Sequence, residues 1–257
     1  MAALRRAAPL VHCITNDVAM NSAANVLLAA GASPAMVHAA AEAEEFAGLA
    51  AALTVNIGTL TPLRLAGMHA AIAGARASNH PWVLDPVAHF ATAFRRDAMT
   101  GLMALAPTIV RGNASEIIAL AGGHSAGRGV DSRNTVAEAE EAARCVAREH
   151  GTVVAATGAT DFVTDGTRAV RVAGGSPLMP QVTALGCSLT CLVGAFAAVA
   201  PDDPFAATVA ALATFAVAGE AAEDAAAGPG SFAWRFLDAL AALDGERLDA
   251  GARVTAV

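Results

Sequence analysis

The chain has 257 residues, 55% of them hydrophobic and 15% charged, with 16 basic against 23 acidic side chains and a net charge of −7. That composition excludes a disordered chain, which is poor in apolar and rich in charged residues. The acidic balance, with no basic cluster, excludes nucleic acid as a partner.

The elements read in chain order as follows. The opening residues carry an Arg pair (Arg5, Arg6) but no apolar run long enough for a signal peptide before His12 and Asn16. An extended run at 10–15 leads to a helix at 17–30. Extended runs at 33–38, 54–57, 82–85 and 108–111 then alternate with helices at 40–52, 62–77, 92–106 and 114–120. Pro62 after Thr61 is a favoured helix start. The segment "GGHSAGRGVDSRN" at 122–134 is the longest loop, too short for a linker and long enough to border a site. A helix at 135–150 precedes extended runs at 152–156, 162–164 and 169–172, the last two joined by a tight hairpin at Asp165-Gly166. Helices at 187–200, 205–226 and 232–242 complete the chain.

This alternation predicts an α/β fold, a mostly parallel sheet with helices on both faces and one antiparallel excursion. No Gly-, Ser- or Pro-rich linker divides the chain, so residues 1–257 read as one domain. The apolar stretches at 189–200 and 205–219 fall short of the ~18–20 residues a membrane span needs. They read as buried core helices, and no membrane partner is expected. The scattered cysteines Cys13, Cys145, Cys187 and Cys191 include no C-x-x-C pair, which argues for reduced thiols in a cytoplasmic protein.

In an open α/β sheet, ligands bind beyond the carboxyl ends of the strands. The residues that follow each run are polar or glycine: Asn16, His38, "NIGTL" (Asn56 to Leu60), "DPV" (Asp85 to Val87), "RGNASE" (Arg111 to Glu116) and Thr157-Gly158. Each has an ordinary reading. Asn113 and Glu116 are spaced as a capping box, which is compatible with a further role for Glu116 beside Mg²⁺ waters. Arg111 can be a surface ion-pair partner or a phosphate ligand, and Gly112 beside it allows close approach. Asp85 before a proline can be a turn former. Cys187 and Cys191, four apart, can be small core residues. His12, His38, His69 and His89 have no metal-ligand spacing. "QVTALGC" (Gln181 to Cys187) opens an apolar helix with small residues instead of a capping side chain. Its exposed N–H groups and the helix dipole suit an anion.

Several stretches together, in order from Leu10 to about Ala200, resemble the hydroxyethylthiazole kinase family: "VHCITNDVAMNSAANVLLAAGASPAMVHAAAEAEEF", "LTVNIGTL", "VLDPVAHFATAFR", "IVRGNASEIIALAG", "GRGVDS", "ATGATDFVTDG" and "QVTALGC". The helical tail matches only in character. The resemblance implies a three-layer α/β/α ribokinase-like fold. It implies Mg²⁺-dependent transfer of the γ-phosphate of ATP to the primary alcohol of 4-methyl-5-(2-hydroxyethyl)thiazole, in thiamine salvage. It also implies a homotrimer with active sites at subunit boundaries. Carried over by position, Met36, Ala184 and Asn16 contact the thiazole, and Arg111, Thr157 and Asn113 serve ATP. Glu116 and Asp85 hold Mg²⁺ through waters, and Gly186 and Cys187 form the catalytic anion hole.

The chain departs from the family pattern at the pocket. Ala184 replaces the first Gly of V-T-G-T-G-C, and Asp85 to Phe90 loses both glycines of D-P-V-G-V-G. Cys13 stands where Asn is common, and Asp17 where an aromatic is common. At the Cys187 position related sugar kinases place an aspartate base. A thiol at a helix N-terminus is expected to have a lowered pKa and to act as a weak base or a placed polar group. The competing readings are a hydroxymethylpyrimidine kinase or an ATP-dependent nucleotide-repair dehydratase of the same fold, and a non-catalytic thiazole- or nucleotide-binding protein. "GASPAM" and "NIGTL" speak against the first two, and the Arg111, Asn113, Glu116, Thr157 set against the third.

Overall fold

A computed structural model describes residues 1–123 and 134–257. The "GRGVDS" segment, and the expectation that its loop borders a site, lie outside the described residues. Nine strands among the described residues form one sheet. They are β1 (Leu10–Ile14), β2 (Ser33–Ala35), β3 (Ala52–Asn56), β4 (Trp82–Asp85), β5 (Ile109–Asn113), β6 (Val153–Thr157), β7 (Thr160–Thr164), β8 (Ala169–Ala173) and β9 (Arg253–Ala256). Their order is β2-β1-β3-β4-β5-β6-β7-β8-β9. The six strands from β2 to β6 are parallel, and β7, β8 and β9 each join antiparallel.

The strand sequences explain the layers. Every residue of β3, β4 and β6 is buried, as expected of parallel strands covered on both faces. Successive side chains alternate between two cores. Val11, Cys13, Val83 and Ile109 meet α2 (Met20–Ala30), α8 (Leu185–Val199), α9 (Pro204–Glu223) and α10 (Pro229–Ala242) on one face. Leu53, Val55, Trp82, Leu84 and Val110 meet α3 (Ala40–Leu49), α4 (Pro62–Ala77), α5 (Ala93–Met103), α6 (Ala114–Leu120) and α7 (Val136–His150) on the other. Caps fix several helix starts. Thr61 accepts the Arg64 N–H at 3.1 Å ahead of Pro62, and Thr135 and Glu138 form a capping box.

Helix α8 sits directly on the middle of the sheet. A Cβ at Gly194 would stand 2.5 Å from Thr54 Cγ2, so only glycine allows this approach. The close seat aims the start of α8 at the carboxyl ends of β1, β3 and β4.

Several expectations need correction. Strand β2 ends at Ala35, not at 38. Helix α2 begins at Met20, because the Asn16 side chain accepts the Ala19 N–H and turns the chain first. Helix α8 begins at Leu185, two residues before the expected start. The short helices α1 (Ala2–Ala7) and α11 (Gly245–Gly251) and the strand β9 were not expected. Every residue of β9 is exposed, so it carries no burial pattern to read, and the antiparallel excursion is longer by that strand. Helix α9 ends at Glu223, three residues before the expected end at 226. Its 20 residues suffice by length and composition to cross a membrane, but 67% of its apolar window is buried inside the fold, against α8, α10 and the sheet.

Candidate active site

The carboxyl edge of β1, β3, β4, β5 and β6 presents Asn16, Asn56, Asp85, Arg111, Asn113 and Thr157, and the start of α8 covers it. Ala184 is the residue before α8 and takes a left-handed backbone with φ 67°. Ala88 takes one as well, at φ 49°. These are two of the positions where the family pattern has glycine. The alanines keep the left-handed turn at a cost of roughly 1–2 kcal/mol each, so the departures add a methyl group without rerouting the chain.

Arg111 lies across the site. Its Nη2 donates to Thr157 Oγ1 at 2.5 Å, and Thr157 Oγ1 donates to Gly112 O at 3.2 Å. Its Nη1 is 3.9 Å from Asp85 Oδ2. A Cβ at Gly186 would stand 3.1 Å from the same Nη1, so the guanidinium rests against the glycine at the start of α8. Among the described residues Arg111 Nε has no partner. A largely buried guanidinium with unspent donors, beside open backbone N–H groups, suits a phosphate group.

Asn113 and Glu116 form the expected capping box. Glu116 Oε2 accepts the Asn113 N–H at 2.8 Å, and its Oε1 accepts the Ala88 N–H at 2.9 Å. Burial, then the charge of Asp85, pushes the Glu116 carboxyl up to about 7. Asp85 is fully buried. Its Oδ2 accepts from Asn56 Nδ2 and Thr190 Oγ1, both at 2.8 Å; among the described residues its Oδ1 has no partner at ordinary hydrogen-bond geometry, though the Val87 backbone N–H helps to lower its pKa. Burial raises its pKa, and Arg111 opposes that rise. Two crowded carboxylates, one with an orphaned oxygen, fit a divalent cation carried with its waters. Among the described residues no three His, Cys, Asp or Glu side chains are grouped to cage an ion directly.

The expectation for Cys187 is overturned in one respect. Burial and the charge of Asp85 push its thiol up to about 12, where a helix start was expected to lower it. Desolvation outweighs the dipole because the sulfur is mostly enclosed. Asn16 Nδ2 donates to Cys187 Sγ at 3.2 Å. A thiol raised in this way yields little thiolate at neutral pH. Cys187→Ala should keep measurable turnover, losing less than the ~10²–10⁴ typical of general acid–base help. Steady-state ADP release checks this, and a larger loss with unchanged ATP affinity would refute it.

Met36 follows the edge strand β2 and is half-buried against the core. Three further residues belong to the site. Asn56 was singled out only as part of "NIGTL". Thr190 lies inside an apolar helix, where its sequence gives no polar signal. Asp161 accepts the Gly158 N–H at 2.9 Å and so holds the Thr157-Gly158 turn; desolvation pushes it up to about 6.

The carboxylate pair makes a stability prediction. A carboxyl held at about 7 in the fold against an ordinary 4.5 keeps a proton that the unfolded chain has lost. Stability therefore falls as pH rises through that window. Asp85→Asn removes one charge and relieves the other. In metal-free buffer the melting temperature of Asp85→Asn, relative to wild type, should climb from pH 5 to pH 8. A flat difference would mean that the two carboxylates do not repel.

Known structures share this architecture. A pyridoxal kinase from Staphylococcus aureus, solved with pyridoxal, aligns with a TM-score of 0.61 at 16% identity, over 82% of this chain and 87% of that one. That likeness defines the fold alone: a three-layer α/β/α architecture. The hydroxyethylthiazole kinase structure from Pyrococcus horikoshii OT3 aligns with a TM-score of 0.91 at 40% identity, over 100% of this chain and 96% of that one. A hydroxyethylthiazole kinase of Rhizobium etli (strain CIAT 652) is 73% identical over 253 residues, 98% of each chain. One from Rhizobium leguminosarum bv. trifolii (strain WSM2304) is 72% identical over 256 residues, 100% of this chain and 96% of the relative. The model of the hydroxyethylthiazole kinase family matches residues 1–246, and the chain belongs to that family. It is a phosphotransferase.

Proposed function

We propose that the carboxyl edge of the sheet is where this kinase transfers the γ-phosphoryl group of ATP to the primary alcohol of 4-methyl-5-(2-hydroxyethyl)thiazole, as in thiamine salvage. The observation that carries the assignment of sides is the seat of Arg111 between Gly186, Thr157 and Asp85. Phosphoryl transfer needs positioning and charge stabilisation more than covalent help. Arg111, Thr157 and Asn113 serve ATP. The N–H groups from Ala184 to Cys187, with Gly186 open at the centre, receive the charge that develops on the transferred group. Asn16, Met36 and Ala184 hold the thiazole. Asp85 and Glu116 would hold Mg²⁺ through its waters, and the ion would supply charge to offset that of the phosphates; the chain's own groups bind and orient. The whole chain, 1–257, acts as one domain, since one sheet runs from β1 to β9.

The test is ADP release with the thiazole alcohol and the hydroxymethylpyrimidine alcohol offered separately. A much higher kcat/KM for the pyrimidine would overturn the substrate.

The working form is a homotrimer with sites at subunit boundaries. Leu63 at the start of α4 is 84% exposed and Val18 is 63% exposed. Both flank the segment of Asn16, whose neighbour Asp17 donates its N–H to Thr59 Oγ1 at 3.1 Å. Large apolar side chains beside the substrate end fit burial by a second copy. Light scattering should give three chains at micromolar concentration, and a monomer would refute the assembly. The free cysteines suit the reducing cytoplasm.

A further inference from the structure

Two amides in the site have fixed orientations. Asn16 Oδ1 accepts the Ala19 N–H at 3.1 Å, and a backbone N–H can only donate. The Asn16 nitrogen is therefore the group that faces Asn56 Oδ1 at 3.0 Å and Cys187 Sγ at 3.2 Å. Asn56 Oδ1 is fixed in the same way by the Gly58 N–H at 2.9 Å, so its nitrogen donates to Asp85 Oδ2 at 2.8 Å. The direction of donation is thus set from both ends: Asn16 to Asn56, and Asn56 to Asp85. Asn56 is 3% exposed, and it stands opposite Asp85 in the β3–β4 pairing.

This polarity has a chemical consequence. Asn16 Nδ2 has spent both protons, and Asn16 Oδ1 retains one lone pair. Cys187 Sγ already accepts, and its high pKa leaves it a proton to donate. A primary alcohol donates one hydrogen bond and accepts others, which matches an acceptor and a donor side by side. On the other side, Asn56 steadies the Asp85 carboxylate that faces Arg111.

We infer that Asn56 is a positioning residue that joins the two halves of the reaction: through its oxygen it locks the Asn16 amide for the alcohol, and through its nitrogen it steadies Asp85 opposite Arg111 for ATP. The inference rests on the substrate sides assigned above.

The two functions separate by substitution. Asn56→Asp keeps an oxygen for Gly58 and Asn16 but places a carboxylate oxygen where the donor to Asp85 was. The Kd of the thiazole alcohol, read by calorimetry without ATP, should stay within about threefold of wild type, less than one ordinary hydrogen bond. Its kcat/KM for ATP should fall about 10²-fold, as for a misplaced catalytic group. Asn56→Leu loses both functions, so the alcohol Kd should weaken about tenfold or more, the loss of one or two hydrogen bonds. Asn56→Ser, with a hydroxyl for Gly58 but too short for Asp85, replaces Asn56→Leu should leucine prevent folding, and should also lose the ATP side. Equal alcohol Kd in the Asp and Leu variants, or wild-type kinetics in Asn56→Leu, would overturn the role of Asn56. Asn16→Ala is the separate control. Unchanged alcohol Kd there would overturn the substrate assignment, and the role of Asn56 with it; a weakened Kd there, with the Asn56 variants indistinguishable, would overturn the role of Asn56 alone.

Discussion

Gly186→Val should cut turnover by at least the ~10²–10³ that one oxyanion-type donor is worth, while the fold survives. The added Cβ would start 3.1 Å from Arg111 Nη1 and 3.4 Å from Nη2. The guanidinium is the end of a flexible side chain and can yield, so the helix need not break. What it yields is its seat against the start of α8 and its bond to Thr157. The valine methyls also cover the backbone donors that the phosphoryl group must reach. The loss should fall mainly on kcat, because charge develops on the transferred group only in the transition state. Initial-rate ADP release, with the alcohol Kd measured alongside, is the check. Normal turnover in Gly186→Val would end the anion-hole reading.

Arg111→Met should weaken ATP by about 10² or more and leave the thiazole alcohol nearly untouched. The chain is acidic, with 23 acidic side chains against 16 basic, so ATP meets few cations. Methionine keeps the stem of the side chain and removes the fork of donors that matches a phosphate. It also strips Asp85 of the cation 3.9 Å away. Asp85 and Glu116 then face each other with less compensation, and a buried charge left without its partner is strongly unfavourable. The melting temperature of Arg111→Met should therefore drop more at pH 8 than at pH 6, where a shared proton relieves the pair. Titration calorimetry with an ATP analogue and with the alcohol gives the affinities. Equal weakening of both ligands, or of neither, would remove Arg111 from the phosphate site.

Much of the frame was legible because its causes are local. Ala52–Asn56 and Trp82–Asp85 are apolar except at Thr54, Asn56 and Asp85, and such runs suit burial on both faces. Thr61-Pro62 and Asn113-x-x-Glu116 announce helix starts through their own backbone bonding. The polar residues after those runs marked the functional edge before any of them could be joined. Strand β9 was not legible, since its residues are exposed and paired only through their backbone to β8. Thr190 was hidden because its hydroxyl serves a residue 105 positions away.

By itself the sequence determined the alternation of strand and helix, the parallel sheet, the polar carboxyl edge of that sheet, and the family through motifs in order. These follow from periodicity, caps and turn chemistry, all of which act within a few residues. Only the tertiary structure decided the electrostatics of the edge. It placed Cys187 as a half-buried thiol that burial and Asp85 push up to about 12, and Glu116 beside Asp85, where burial pushes it up to about 7. It also showed that Asn56 sits between Asn16 and Asp85 with its amide fixed at both ends. Burial and Coulomb interactions act through space among residues far apart in the chain. The same Gly-Cys step at a helix start can therefore lower or raise a thiol, according to what the fold packs around it.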